Sequence, residues 1–148
     1  KEMLKELIIL SSSLFLFRIV FTDVKIRKIY NLDCLLIFVF SLVFCFLFDF
    51  RLTDFLFFSV IFCVLYVFWF LGVFGGGDIK LIAALFLFFS PKNFIFFCIY
   101  TSISGFFVAL ICLYINKKNS IKEDDASVPY GVAIASGFFI EVLGGNLR

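Results

Sequence analysis

The sequence predicts an all-α membrane protein, a polytopic bundle of six transmembrane helices. Hydrophobic residues make up 64% of its 148 residues and charged residues only 16%, whereas soluble domains are about half apolar and about a quarter charged. A soluble core of this size cannot hide so much apolar surface. The apolar residues also fall into long uncharged runs with short polar links, as membrane-crossing helices require. This composition excludes a soluble enzyme, a disordered tail and a basic nucleic-acid-binding protein.

Each predicted helix corresponds to one uncharged run. In chain order the runs cover residues 7–17 (extending past Arg18 to 22), 34–48, 55–77, 81–90, 94–115 and 128–140. A helix needs about 20 residues to cross the hydrocarbon core, so the shorter runs must extend. The first reaches that length only if it continues close to Asp23, the second only if it begins near Asn31, and the fourth only if it includes Asp78. The first run is expected to be retained as a crossing, because no signal-peptide cleavage site follows it.

Short links between the runs predict tight antiparallel helical hairpins. Residues 49–54 join the second and third helices, and residues 91–93 join the fourth and fifth, where Pro91 cannot continue a helical hydrogen-bond ladder. Residues 116–127 form a longer loop. Neither an internal repeat nor a linker interrupts the sequence, so residues 1–148 are expected to form a single domain.

Positive charge orients the predicted bundle. Six crossings place seven basic residues on one side, in segments 23–31 and 116–127 and at Lys80, and five on the other. Because cytoplasmic loops carry an excess of lysine and arginine, the first side is predicted to face the cytoplasm, with both termini outside.

The counts of histidine and cysteine restrict the possible chemistry. The absence of histidine excludes Ser-His and Cys-His catalysis and any histidine-ligated metal site. No two cysteines form a CxxC pair, so all five are interpreted as small buried apolar residues. They are Cys34, Cys45, Cys63, Cys98 and Cys112. We therefore expect neither a metal ion nor a cofactor.

Two aspartates stand out against the apolar background. Asp23 follows the first run and Asp78 the third, so two crossings separate them and both lie at the same membrane face. Ionisable groups at this depth are costly and mark candidate functional sites. Simpler interpretations stay open, with Asp23 as a solvated charge paired with Lys25 or Arg27. Asp78 could equally be the N-cap of a helix that follows the glycines at 75–77.

Other charged residues have less specific interpretations. Asp49 and Asp54 lie at the opposite face and are interpreted as helix-end residues, and residues 123–125 as solvated loop. Asp33 lacks adjacent glycines. Arg18 either extends its side chain to the interface or pairs with an aspartate.

Two neighbouring carboxyl groups can hydrolyse a peptide without metal or histidine. Double ionisation of a close pair is unfavourable, so the pair holds one proton near neutral pH. The ionised member deprotonates a water, and the protonated member polarises the peptide carbonyl. The peptide must first be unwound, and the glycines before Asp78 let its extended backbone approach closely.

Three segments resemble type IV prepilin peptidases, which belong to the GxGD intramembrane aspartyl proteases. Residues 75–80, GGGDIK, resemble the family's GxGDxK motif. Residues 23–31, DVKIRKIYN, resemble its first aspartate segment, and residues 128–137, VPYGVAIASG, its last Pro-Tyr-Gly segment. Tyr30 and Val132 stand where the family has proline, which affects backbone shape near the site. The length resembles the small, peptidase-only branch that serves tight-adherence (Flp-type) pili.

The resemblance implies an aspartic endopeptidase of the bacterial inner membrane. It would remove a short basic leader, which ends in glycine and precedes an apolar helix, from prepilins or pseudopilins at the cytoplasmic face. Larger members also methylate the new amino terminus and carry a domain with paired CxxC motifs. The lack of such motifs here implies cleavage without methylation.

The motifs also imply site residues. Asp23 and Asp78 match the catalytic pair. The positions matched to substrate binding are Gly75, Gly77, Lys80, Pro129, Tyr130 and Gly131. Two of these roles stay open, because Lys80 can stabilise the ionised aspartate, orient the fourth helix or lie at the interface, and Tyr130 can pack or bind.

A non-enzymatic membrane protein is the alternative function. It would be an ion-coupled transporter or channel that uses Asp23 and Asp78, a structural assembly subunit, or an inactive pilus-assembly homologue. An ion path favours polar groups at mid-membrane, whereas residues 55–74 and 94–114 are almost purely apolar. The acidic pair at one face therefore favours the peptidase.

Overall fold

The fold is that of a helical bundle. The computed structural model describes residues 2–48, 51–72, 75–118 and 128–147. Its regular elements there are the helices α1 (Glu2–Ile26), α2 (Asn31–Phe48), α3 (Leu52–Phe70), α4 (Gly76–Leu85, continued by a 3-10 turn at Phe86–Phe88), α5 (Pro91–Lys118) and α6 (Tyr130–Leu143). Asp49 and most of the predicted loop, including residues 123–125, lie outside the described residues. The prediction of an all-helical chain is confirmed for the rest.

Helix lengths follow from the membrane requirement at three positions. α1 continues past Asp23, α2 begins at Asn31, and α4 includes Asp78, as the predicted bilayer lengths demanded. Four helices, α1, α2, α3 and α5, are long and apolar enough to cross a membrane. α6 is apolar but has only 14 residues, and α4 has 10. The chain is therefore a helical membrane protein, and its described residues include four candidate crossings of full length.

The starts of α4 and α5 decide one interpretation that the sequence left open, Asp78 as an N-cap, and correct one predicted link, residues 91–93. Gly75 is the N-cap of α4, with extended backbone angles (φ −65°, ψ 138°), so Asp78 is the third residue of the helix and not its cap. Pro91 is the first residue of α5, where its missing N–H costs no hydrogen bond. The turn between these helices is therefore formed by Phe89 and Ser90 instead of residues 91–93.

Phenylalanine supplies much of the core. The ring of Phe88, which is fully buried, lies with its centroid 5.1 Å from that of Phe44 and 5.5 Å from that of Phe138. These contacts hold the 3-10 turn that continues α4 in its place between α2 and α6. The core thereby holds the start of α4, which carries Asp78, against its neighbours.

The cysteine prediction was partly wrong. All five cysteines are free, and Cys34 and Cys45 are buried as expected. Cys63 and Cys98 are exposed on the helix surface, and Cys112 is half-buried. An apolar residue can face either the core or lipid, because lipid chains are as apolar as the core.

An ion pair joins α1 to α2. An Arg18 guanidinium nitrogen lies 3.3 Å from Asp33 Oδ1, and the Asp33 side chain is fully buried. Among the described residues, neither carboxylate oxygen of Asp33 accepts a hydrogen bond of normal geometry. Of the two interpretations of Arg18, pairing with an aspartate is therefore confirmed.

Replacing Arg18 with methionine should destabilise the protein by about 1–3 kcal/mol, because it leaves the buried Asp33 carboxyl group without its partner, whose own side chain is 57% exposed. The double variant Arg18→Met/Asp33→Leu should recover most of this loss. Thermal unfolding in detergent measures both, with Lys25→Met, at an exposed position of the same helix, as the matched control. Equal unfolding temperatures for Arg18→Met and the unchanged protein would contradict a stabilising role for the pair.

Candidate active site

Asp23 is turned inward from the last turn of α1. Asp23 is only 7% exposed, and its Oδ2 accepts a hydrogen bond of 2.8 Å from the backbone N–H of Gly131. A solvated loop charge would be neither buried nor bonded in this way, so that simpler interpretation of Asp23 is wrong. The contact joins two segments that are 108 residues apart in the sequence.

The partner of Asp23 is the N-terminus of α6. Pro129 is the N-cap residue and makes no side-chain hydrogen bond there. Gly131 is the second helical residue, and its N–H is one of those that the helix itself cannot satisfy. The carboxylate of Asp23 accepts this hydrogen bond from another helix. A Cβ at Gly131 would lie 2.8 Å from Asp23 Oδ2 and 3.2 Å from its Cγ, so the close approach requires glycine.

Asp78 is the second carboxyl group of the site. It is half-buried in the first turn of α4, and the charge of Asp23 acts on it electrostatically. Asp78 also lines a cavity together with Tyr130 and Ala133, which lie one residue before and two residues after Gly131. Both aspartates therefore lie near the start of α6, at what we call the aspartate end of the bundle.

The glycines before Asp78 make three different contacts. A Cβ at Gly75 would lie 2.9 Å from Asp78 Oδ2, so this carboxylate folds back over the N-cap. A Cβ at Gly77 would meet the Ile29 side chain at 3.3 Å, and one at Gly76 would meet Trp69 Nε1 at 3.2 Å. Gly75 therefore borders the carboxylate, whereas Gly77 lets the segment between α1 and α2 pack closely against α4.

Lys80 points away from the aspartates. Its Nζ donates a hydrogen bond of 3.0 Å to Asn31 Oδ1, which links α4 to the first residue of α2. Of the roles left open for Lys80, this contact favours orienting the fourth helix. Asn31 was not among the predicted site residues, although it ends the segment that resembles the first aspartate motif, and that position was the signal for it.

Tyr130 and Pro129 have different environments at the start of α6. Pro129 is buried, whereas Tyr130 is 47% exposed and borders the cavity beside Asp78. This position favours contact with a bound molecule over a packing role for Tyr130. The predicted site residues Gly75, Tyr130 and Gly131 are thus brought together around the aspartates, while Gly77 and Lys80 lie against the neighbouring segments.

The donor set fits acid–base chemistry. Within the described ranges, histidine, cysteine, aspartate and glutamate side chains form no group of three that could hold a metal ion. Two carboxyl groups at one place can instead divide the roles of general base and general acid.

Comparison with protein families gives a match over most of the chain. The model of the type IV leader peptidase family matches residues 10–110, a range that includes Asp23, Asn31 and Asp78 and ends before α6. No curated protein and no solved structure matches the chain.

Proposed function

This chain belongs to the type IV leader peptidase family, and we propose that it is an aspartic endopeptidase that uses Asp23 and Asp78 to cleave prepilin leaders. The proposal is supported by the family and by the position of both aspartates at the start of α6, where Asp23 bonds to Gly131 and Asp78 borders a cavity with Tyr130. The proposed substrates are prepilin or pseudopilin precursors, with Flp-type prepilins as the first candidates. The proposed activity is cleavage alone, without methylation of the new amino terminus.

Each carboxyl group has one part in the proposed reaction. The ionised carboxylate takes a proton from water, whose oxygen attacks the carbonyl carbon while the protonated carboxyl group donates a hydrogen bond to the carbonyl oxygen. The tetrahedral intermediate collapses, the C–N bond breaks, and the leaving nitrogen receives a proton from the pair. Gly131 fixes Asp23 through Oδ2, which holds the carboxylate in place during these transfers.

The substrate backbone needs space next to Asp78. Gly75 provides it, because a side chain there would contact Asp78 Oδ2. Tyr130 is exposed at the opposite wall and can contact the unwound peptide. Gly75 and Tyr130 thus shape the approach of the substrate. The hydrogen bond between Lys80 and Asn31 holds the helix that carries Asp78.

We also propose six crossings in the bacterial inner membrane, with the aspartate end at the cytoplasmic face. α4 with its 3-10 turn and α6 are short, and the other four helices have full spanning length. Exposed basic residues at the aspartate end, including Lys25, Arg27 and Lys117, support this orientation.

Cysteine labelling tests the orientation. In a cysteine-free background, Lys117→Cys should react with an impermeant maleimide only from the cytoplasmic side, and Lys92→Cys, which is exposed at the other end of α5, only from outside. Cysteines introduced at residues 119–127 should also be labelled only from the cytoplasmic side. Labelling of Lys117→Cys from outside would overturn both the orientation and the side of cleavage.

Cleavage itself is tested with the purified protein and an Flp-type prepilin. Mass spectrometry should show two products, separated between the leader glycine and the apolar helix, with no added methyl mass. A prepilin whose leader glycine is replaced by a bulky residue is the matched substrate control. Intact prepilin after prolonged incubation would favour an inactive homologue, and cleavage inside the helix would contradict a leader peptidase.

A further inference from the structure

We propose that the cavity beside Asp78 holds the apolar segment that follows the scissile bond of the substrate. This inference rests on the proposed function and adds the path that the substrate takes through the bundle. The cavity has a volume of about 350 Å³ and lies between α4, α5 and α6. We call it the substrate cavity.

The substrate cavity runs lengthwise along α5. Its wall includes Phe97 at one end of this stretch and Ala109 at the other, which is about 18 Å of helix. Gly105 lies opposite Ala133, since a Cβ on Gly105 would be 3.6 Å from that of Ala133. Ala133 is two residues beyond Gly131, so the aspartates lie near the Ala109 end. From there the cavity extends into the apolar body of the bundle.

Small and apolar side chains form the walls. Gly105, Ala109 and Ala133 line the cavity, and small residues let another helix approach closely in a membrane. Phe106 and Cys98 also border the cavity and are exposed on the surface of α5. The cavity therefore opens sideways, where the membrane would be, and an apolar segment can enter it without passing through water.

The position of Asp78 decides between a substrate segment and a lipid chain. Asp78 forms part of the cavity wall, so a peptide bond presented to this carboxyl group places the adjoining residues inside the cavity. The leader stays at the exposed aspartate end, and the following apolar residues run along α5. A second cavity of about 530 Å³ is lined by Lys80 and Ala83 on the other side of α4. It serves as a control, because neither aspartate borders it.

Cross-linking gives the most direct test, because it needs no cleavage. The protein is prepared with Cys98 as its single cysteine and with Asp78→Asn to preserve the bound prepilin. Cys98 lies about 10–15 Å along α5 from the aspartates. A helical substrate should therefore cross-link to it through a short bismaleimide from positions about seven to ten residues after the scissile bond. A protein with only Cys63, which is exposed on α3, is the matched control.

The yield as a function of substrate position decides the result. A peak at those positions with Cys98 and none with Cys63 supports the inference. Equal yields at all positions, or a higher yield with Cys63, overturn it. Vesicles that contain a long-chain lipid maleimide test the lipid alternative. The labelling of Cys98 by this lipid is measured first without prepilin and then with it. If prepilin does not reduce the labelling, the inference is also overturned.

Filling the cavity tests the same inference through activity. Ala109→Phe should raise KM or lower kcat/KM for prepilin by at least about tenfold, whereas Ala83→Phe, in the second cavity, should leave both near the unchanged values. If the unchanged protein cleaves prepilin and Ala109→Phe cleaves it equally well, the inference fails while the proposed function stands. If the unchanged protein does not cleave prepilin, the proposed function fails and this inference fails with it. If Ala109→Phe does not fold, the cross-linking result decides.

Discussion

Asp23→Asn and Asp78→Asn should each abolish leader cleavage while the protein still folds and inserts. An asparagine amide has nearly the shape of a carboxyl group, but it can neither take a proton from water nor deliver one to the leaving nitrogen. General acid–base catalysis contributes about 100-fold to 10,000-fold in rate, so each substitution should lower the initial rate by at least that much. Quantified product masses from prepilin give the rate.

The matched control for this prediction is Asp54→Asn. Asp54 lies in the first turn of α3, at the end of the bundle opposite to the aspartate end. Asp54 is also largely buried, at 9% exposure, so it matches Asp23 in burial. The same chemical change there should leave cleavage within about twofold of the unchanged rate, because it alters neither proposed reacting group. A normal rate in either Asp23→Asn or Asp78→Asn would remove that residue from the catalytic pair. A large loss in Asp54→Asn as well would indicate that aspartate substitutions disturb the fold.

Gly131→Ala should produce the second large effect. The new Cβ would lie 2.8 Å from Asp23 Oδ2, which is too close, so the carboxylate must move and the hydrogen bond to the Gly131 N–H is lost. A displacement of about 1 Å at a reacting group costs roughly 100-fold in rate. We therefore expect kcat to fall by about that factor, measured with saturating prepilin.

Gly76→Ala is the matched control, because its new Cβ would meet Trp69 Nε1 at 3.2 Å and neither aspartate. Alanine favours a helix over glycine by about 0.5–1 kcal/mol, so neither α6 nor α4 loses intrinsic helix stability. A lower kcat in Gly131→Ala with an unchanged unfolding temperature would therefore locate the loss at Asp23. Equal rates for the two variants would show that the Asp23–Gly131 contact does not position the carboxylate.

Sequence length and charge predicted the helices and the shared face of the aspartates. A run that is too short to cross the bilayer must extend to the next polar residue, which is why the extents of α1 and α2 near Asp23 and Asn31 could be derived. The same reasoning gave two predicted crossings between Asp23 and Asp78, which puts both aspartates at one membrane face. These results depend only on local spacing along the chain.

Contacts between distant segments could not be derived in this way. Nothing in the spacing of Asp23 and Gly131 indicates that a backbone N–H meets a carboxylate 108 residues away. The resemblance alone pointed to the start of the last helix. The outward faces of Cys63 and Cys98 were also missed, because a helix that is apolar on all sides carries no pattern that separates its core face from its lipid face.

The Asp23–Gly131 contact also sets an order of events during synthesis. The ribosome completes α1 first and reaches Gly131 108 residues later, which takes roughly 5–20 s at the usual rate of translation. During that interval the nascent chain already contains Asp23 and, later, Asp78, but no helix that can hold the first of them. The bilayer therefore receives Asp23 before the helix that holds it, and the contact between Asp23 and Gly131 can form only after the start of α6 has been made.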